Sequence, residues 1–394
     1  MKFETQPEQF PLLVRTYAGL EEVLLKEIAS LGGANTELLT RAVSCTGDKG
    51  FVYKLNLGLR TALRVLKPLH SFTFNDNDSF YKAVNSIAWE EYFSVEKTFA
   101  IDSIVFSRMF NNSMFVSQLT KDAIADRFRK HSGKRPFVDS REPEISISVY
   151  VREQEATIYL DSGGESLHRR GYRTEQVKAP LSEVMAAGIL KLSGWSHHFP
   201  LIDPMCGSGT FSIEAALMGS QVPPGLFREH FSFMHWLDFD PELFDTVRES
   251  LVKRISDDPL RIKAADVSRR ALSIARENAS RADVASEIQF ELQDFTKSSS
   301  ANWPDGSEGT KKFIFINPPY GERLQPENLE QLYQQIGSTL KHQYSGCEAF
   351  IFTSHPDVIR LIGLKPSKRW KLYNGKLECQ LLHYSLYAGS RKKS

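Results

Sequence analysis

The chain has 394 residues, 41% of them apolar and 25% charged, with a formal net charge of +1. That length suits two or three domains of ordinary size, and the composition is that of a globular protein rather than a fibrous or low-complexity one. No run approaches the ~18 apolar residues of a membrane helix, and Met1 to Phe10 is polar, so no span and no secretory leader is expected and the expected compartment is the cytoplasm.

Near-neutral charge means that any contact with nucleic acid must come from local patches. Cys45, Cys206, Cys347 and Cys379 form no Cys-x-x-Cys pair, so neither a disulfide framework nor a metal site is expected.

Residues 1–70 alternate strand and helix signals. Leu12 to Thr16 predicts a strand. Gly19 to Leu31 carries a helical apolar stripe that ends at Gly32-Gly33, and Arg41 to Cys45 and Thr61 to Leu69 predict two more strands. The expectation is a small ferredoxin-like α+β domain.

Residues 71–166 predict a second α+β domain. Thr98 to Phe106 is a strand. Met114 to His131 is a helix with Phe115, Leu119, Ile124 and Phe128 inward. Ile145 to Val151 alternates strictly, as a half-exposed strand does, and Ala156 to Leu160 is its expected neighbour. Arg127, Arg129, Lys130, Lys134 and Arg135 crowd the helix end with no acidic residue among them. They suit either the helix dipole or a phosphate backbone.

Residues 167–198 predict a linker and a helix. Arg169, Arg170 and Arg173 make the linker basic, with Tyr172 inside it. Pro180 suits the first turn of a helix that runs through about Leu192.

From 199 to 387 strands and helices alternate, which predicts a doubly wound parallel sheet. The expected strands are Phe199–Asp203, Arg261–Ala265, Ile288–Leu292, Phe313–Asn317, Ala349–Thr353, Arg369–Tyr373 and Glu378–Tyr384. Asn374-Gly375 joins the last two as a hairpin. Gly219 to Pro259 reads as an insertion, Ser298 to Gly309 as a surface loop, and 388–394 as a basic tail.

Two stretches in this half carry chemistry. The first is Asp203-Pro204-Met205-Cys206-Gly207-Ser208-Gly209-Thr210, a strand end running through two glycines into a helix. A ligand there sits over a helix N-terminus at the end of a strand. No lysine follows the glycines, which excludes the phosphate-cradling P-loop. The second is Asn317-Pro318-Pro319-Tyr320. Two prolines force the chain out of the sheet and fix a turn that holds an amide, carbonyl acceptors and an aromatic ring. The acceptors suit an exocyclic amine and the ring suits the face of a base.

Together with Gly321-Glu322-Arg323-Leu324, these stretches resemble the S-adenosylmethionine-dependent amino-methyltransferases, and more closely the THUMP-containing RNA methyltransferases. Within that family the resemblance is to the branch that makes N2-methylguanosine in bacterial large-subunit ribosomal RNA. It implies a Rossmann-like class I methyltransferase domain preceded by an α+β ferredoxin-like and THUMP region.

It also implies S-adenosyl-L-methionine as cofactor. The expected cofactor residues are Asp203 to Thr210, Asp266 with Val267, Asp294 with Phe295, and Asn317. Asp203 would face the ammonium, Asp266 the ribose diol and Asp294 the adenine amine, with Phe295 stacking on the ring. Helix capping is the alternative for Asp203 and Asp266. Asn317, Pro318, Pro319 and Tyr320 would form the catalytic turn, and Arg127 to Arg135 with Arg169, Arg170 and Arg173 would meet RNA. The expected partner is ribosomal RNA or a ribosomal precursor, with one methyltransferase domain in the chain. Adenine-N6 methylation of DNA or RNA, guanine-N2 methylation of transfer RNA, and a non-catalytic assembly factor are the competing readings.

Overall fold

The computed structural model describes residues 8–173, 181–300, 311–319, 326–375 and 377–387. They fall into two compact units. The first holds the chain up to Thr16, Leu25–Leu167 and Arg228–Ser250; the second holds Tyr17–Leu24, His168–Phe227 and the chain from Leu251 onward.

The first unit is built on one sheet. Its strands are β1 (Phe10–Arg15), β2 (Ala34–Leu39), β3 (Ala42–Gly47), β4 (Arg64–Thr73), β5 (Phe99–Phe106), β6 (Ile145–Arg152) and β7 (Glu155–Asp161), and its helices include α1 (Glu21–Ser30, which begins in the second unit), α2 (Lys49–Gly58), α3 (Asn77–Ser86) and α4 (Ser113–Ser132). The spatial order is β2-β3-β1-β4-β7-β6-β5. β4 pairs with β1 through Arg64–Leu66 and with β7 through Leu66–Thr73, with a register shift between Pro68 and His70. A proline has no N–H to give the ladder, so a shift there is expected. Residue 70, the expected boundary between two N-terminal domains, lies inside this strand.

Two sequence expectations hold only in part here. Ile145–Val149 is buried on both faces rather than half exposed, including Ser146 and Ser148 at 8% and 4%. On α4 the buried stripe is Val116, Thr120, Ala123, Ile124 and Phe128, whereas Phe115 is 42% exposed. Periodicity locates a face, but what covers that face comes from distant chain. Residues 228–250 are such distant chain. Phe233, Phe239 and Phe244 ring Tyr53 at 4.7, 5.8 and 5.7 Å between centroids, so residues 228–250 of the expected insertion contribute to this unit's core.

The second unit is the Rossmann-like domain anticipated above. Its elements are α5 (Glu183–Ser193), β8 (Leu201–Asp203), α6 (Thr210–Gly219), α7 (Pro241–Val252, mostly in the first unit), β9 (Ile262–Asp266), α8 (Arg269–Arg281), β10 (Ile288–Leu292), β11 (Lys312–Ile316), α9 (Pro326–Gln343), β12 (Cys347–Thr353), β13 (Lys368–Asn374) and β14 (Leu377–Ser385). The order is β10-β9-β8-β11-β12-β14-β13, parallel from β10 to β12 and closed by the antiparallel hairpin.

Residues 17–24 also belong to this unit. Leu20 is fully buried, and a Cβ at Gly188 in α5 would lie 2.6 Å from its side chain. Tyr17 Oη also donates to Ser182 Oγ at 3.3 Å. Glycine at 188 is therefore what lets this strap seat against the helix.

Candidate active site

The strands β8, β9, β10 and β11 end at one cavity of about 640 Å³. Crevices at the carboxyl ends of parallel strands are where such sheets take ligands. Asp203 to Ser208, Thr210, Asp266, Val267, Asp294, Phe295 and Asn317 to Pro319 all line it. Gly209 is the left-handed cap of α6, at φ +82°, and a Cβ there would stand 3.1 Å from Ala275. Tyr320, Gly321 to Leu324, Pro180 and the tail 388–394 lie outside the described residues, as does most of the expected loop up to Gly309.

The glycine turn is tied down from within. Gly207 N–H donates to Asp266 Oδ2 at 2.9 Å, Gly209 N–H to the Cys206 carbonyl at 2.8 Å, and Asn278 Nδ2 to the Ser208 carbonyl at 3.0 Å. The two glycines therefore shape the turn, while their own amides are already used. Asp266 Oδ1 accepts from Ser268 N–H at 2.8 Å, and it is Ser268 that caps α8. The capping alternative for Asp266 is thereby removed.

Asp203 is 1% exposed, and its Oδ2 accepts from Ser212 Oγ at 3.0 Å. Its Oδ1 is buried with no hydrogen-bond partner among the described residues. Burial, partly offset by Ser212 and reinforced by Asp266, pushes its carboxyl up to about 7. Asp294 is held below the usual carboxylate range, chiefly by the Thr296 hydroxyl at 2.7 Å. Burial pushes the Cys206 thiol well above its ordinary range, so it is a packed side chain rather than a nucleophile.

Asn317 follows β11, and its Oδ1 is also buried without a partner among the described residues. Buried acceptors are nearly always satisfied. Two orphans facing one cavity mark where a ligand supplies donors.

Several expected roles change. The ring of Phe295 is 3% exposed and packs on Tyr344 at 5.5 Å between centroids, whereas Val267 is 74% exposed. Arg170 is 2% exposed and pairs with Glu214 at 3.4 Å, beside Tyr172 Oη at 3.1 Å from the same carboxylate oxygen. Arg173 pairs with Glu183 at 2.9 Å. Arg170 is therefore closed to RNA, whereas Arg173 is half-buried. Of the α4 cluster, Arg127 is paired with Glu90, Arg129 and Arg135 with Asp126, and Lys134 with Glu96. Lys130 and Arg169 are exposed.

One wall of the cavity has no counterpart among the expected residues. Asn328, Gln331, Leu332 and Gln335 of α9 line it. Their spacing puts them on one helix face, but surface amides look like any solvated face in a sequence, so no signal marked them.

Residues 170–383 match the family described as RMKL-like methyltransferase domain, residues 74–161 the THUMP domain, and residues 11–66 the RlmL ferredoxin-like domain. The chain is 38% identical over 377 residues to the ribosomal RNA large subunit methyltransferase K/L of Syntrophotalea carbinolica, an overlap that covers 93% of this chain and 52% of that protein. It therefore spans about half the length of that relative. It is 35% identical over 380 residues to slr0064 of Synechocystis sp., a candidate RNA methyltransferase, covering 96% of this chain and 97% of that one. Among solved structures it resembles SMU.472, a candidate methyltransferase complexed with SAH, at 30% identity and TM-score 0.83 over 98% of this chain and 100% of that one.

Proposed function

The chain belongs to the RMKL-like methyltransferase family and uses S-adenosylmethionine, and on that premise we propose that it methylates the exocyclic N2 amine of a guanosine in RNA. The proposed substrate is large-subunit ribosomal RNA, in keeping with the names of its K/L relatives. The observation that carries the amine reading is the buried, unpartnered Oδ1 of Asn317 on the wall of the cofactor cavity.

When bound, the cofactor supplies an electrophilic methyl group on sulfur. The protein's part is to present the amine. The lone pair of a guanine N2 is delocalised into the ring, so the nitrogen is a weak nucleophile. Asn317 Oδ1 and the Pro318 carbonyl are proposed to accept its two N–H bonds, which orients the nitrogen and concentrates its lone pair. The rigidity of Pro318-Pro319 keeps those acceptors in place before the reaction, and such preorganisation supplies most of the rate in sites of this kind. No strong base is required, because the proton leaves to solvent after transfer. Tyr320 is the proposed stacking partner of the base. A base in a duplex cannot enter a cavity, so the target is unpaired or flipped.

Asn317→Ala should lower methyl transfer by about 10²–10³-fold with little change in affinity for S-adenosylhomocysteine. Asn317→Asp keeps an acceptor oxygen and should retain more activity than the alanine variant. Wild-type rates in Asn317→Ala would remove the residue from the mechanism.

A further inference from the structure

The seven-stranded sheet of the first unit has one packed face and one open one. On the packed face, Val14 of β1, Val65 of β4, Leu160 of β7 and Val149 of β6 are at most 1% exposed. Successive residues of a strand point to opposite faces, and residues paired across strands share one. Arg15 stands opposite Arg64, Tyr159 opposite Ser148, and Tyr150 opposite Ile104, with Phe106 two residues further along β5. All of these lie on the open face. Tyr150 is 38% and Phe106 62% exposed, and Arg15, Ile104 and Tyr159 are half-buried. Helix α4 lies on the other side, where Ser117 Oγ meets Ser103 Oγ at 2.8 Å, so this face is separate from the basic end of α4.

Two features of the open face point to a ligand. At the β5 side, the rings of Phe106 and Tyr150 lie 6.1 Å apart between centroids with their edges toward solvent. At the β1 side, Arg64 is taken up by Asp161 and by the Gly164 carbonyl at 2.9 Å. Arg15 beside it has no ion pair among the described residues. Burial and then the Arg64 charge lower the pKa of the Arg15 guanidinium, with Asp102 and Asp161 acting against them. It is a cation short of an anion. The face between is polar, with Ser71 and Thr157 hydroxyls bonded at 3.0 Å, so it lacks the continuous apolar patch of a protein-docking surface. From β1 to β5 it spans about 19 Å at ordinary strand spacing, enough for a few nucleotides.

Aromatic rings beside a backbone cation are what an unpaired nucleic-acid strand needs, because every base offers a π-face to stack and every linkage a phosphate. We propose that the open face of this sheet binds single-stranded RNA, with Tyr150 and Phe106 stacking on bases and Arg15 holding a phosphate. The proposal rests on RNA being the substrate and is independent of which base is methylated.

The test uses the full chain, a labelled oligouridylate and a labelled RNA duplex of the same length, with binding read by fluorescence anisotropy across a salt series. Tyr150→Thr and Phe106→Thr keep a residue suited to a strand. Each should weaken the oligouridylate by about tenfold and leave both the duplex and S-adenosylhomocysteine within about twofold of wild type. Tyr150→Phe keeps the ring and should bind as wild type does. Arg15→Gln should reduce the salt slope for the single strand by about 0.7, the share of one phosphate contact. Wild-type affinity for the oligouridylate in both threonine variants would overturn the proposal. So would equal losses for strand and duplex. A wild-type chain that methylates RNA yet does not bind the oligouridylate would also overturn it, without touching the proposed reaction, and would leave this face to a protein partner.

Discussion

At Asp203 the fold and the ammonium contact proposed for it pull in opposite directions. Unfolded, this carboxyl titrates near 3.9; in the fold, burial raises it to about 7. The folded chain therefore binds the proton more tightly than the unfolded one. By linkage, Asp203 lowers stability progressively as pH rises from about 4 to about 7, and its effect levels off above that. A bound ammonium reverses the preference by stabilising the carboxylate. Affinity for S-adenosylhomocysteine should thus rise between about pH 6 and about pH 8, with proton release that calorimetry in buffers of different ionisation heat would detect. Asp203→Asn should flatten that dependence. A pH-independent affinity in the wild type would contradict the account. Asp203, Asp266 and Asn317 were legible in the sequence because each sits where an apolar run stops. Arg170 and Arg173 were not. Their cations were plain, but the carboxylates that engage them, Glu214 and Glu183, are ordinary helix residues until the chain is folded.

Among the elements, the strap at residues 17–24 carries the clearest energetic consequence. Leu20 is fully buried in the second unit, against Gly188 of α5. Leu20→Ala should cost about 2–5 kcal/mol, the usual range for emptying a packed leucine site. Gly188→Val should also destabilise, because its Cβ has 2.6 Å to work with. Thermal unfolding followed by S-adenosylhomocysteine binding would read both, and a loss below about 1 kcal/mol for Leu20→Ala would mean the strap is not part of that core. The strands of the second sheet were legible because parallel strands are short apolar runs bounded by breakers. β2 was not: five of its six residues are exposed, so it has no alternation to detect. The assignment of residues 17–24 and 228–250 to their units depends on packing between distant segments, which no local pattern encodes.

At the scale of the whole molecule, a net charge of +1 gives no general attraction to RNA, so affinity must rest on a local patch. The proposed patch is the end of α4. Lys130→Ala with Lys134→Ala should weaken RNA binding uniformly across sequences and reduce the salt slope by about 1–2. An unchanged slope, measured by filter binding across a salt series, would place the contact elsewhere. The measurement that bears most directly on the central claim is nucleoside mass spectrometry after incubation with labelled S-adenosylmethionine. Unmodified large-subunit RNA would be the substrate, with transfer RNA and DNA alongside. The account predicts label in N2-methylguanosine from the ribosomal RNA. Label in N6-methyladenosine, or transfer to DNA in preference to RNA, would contradict it.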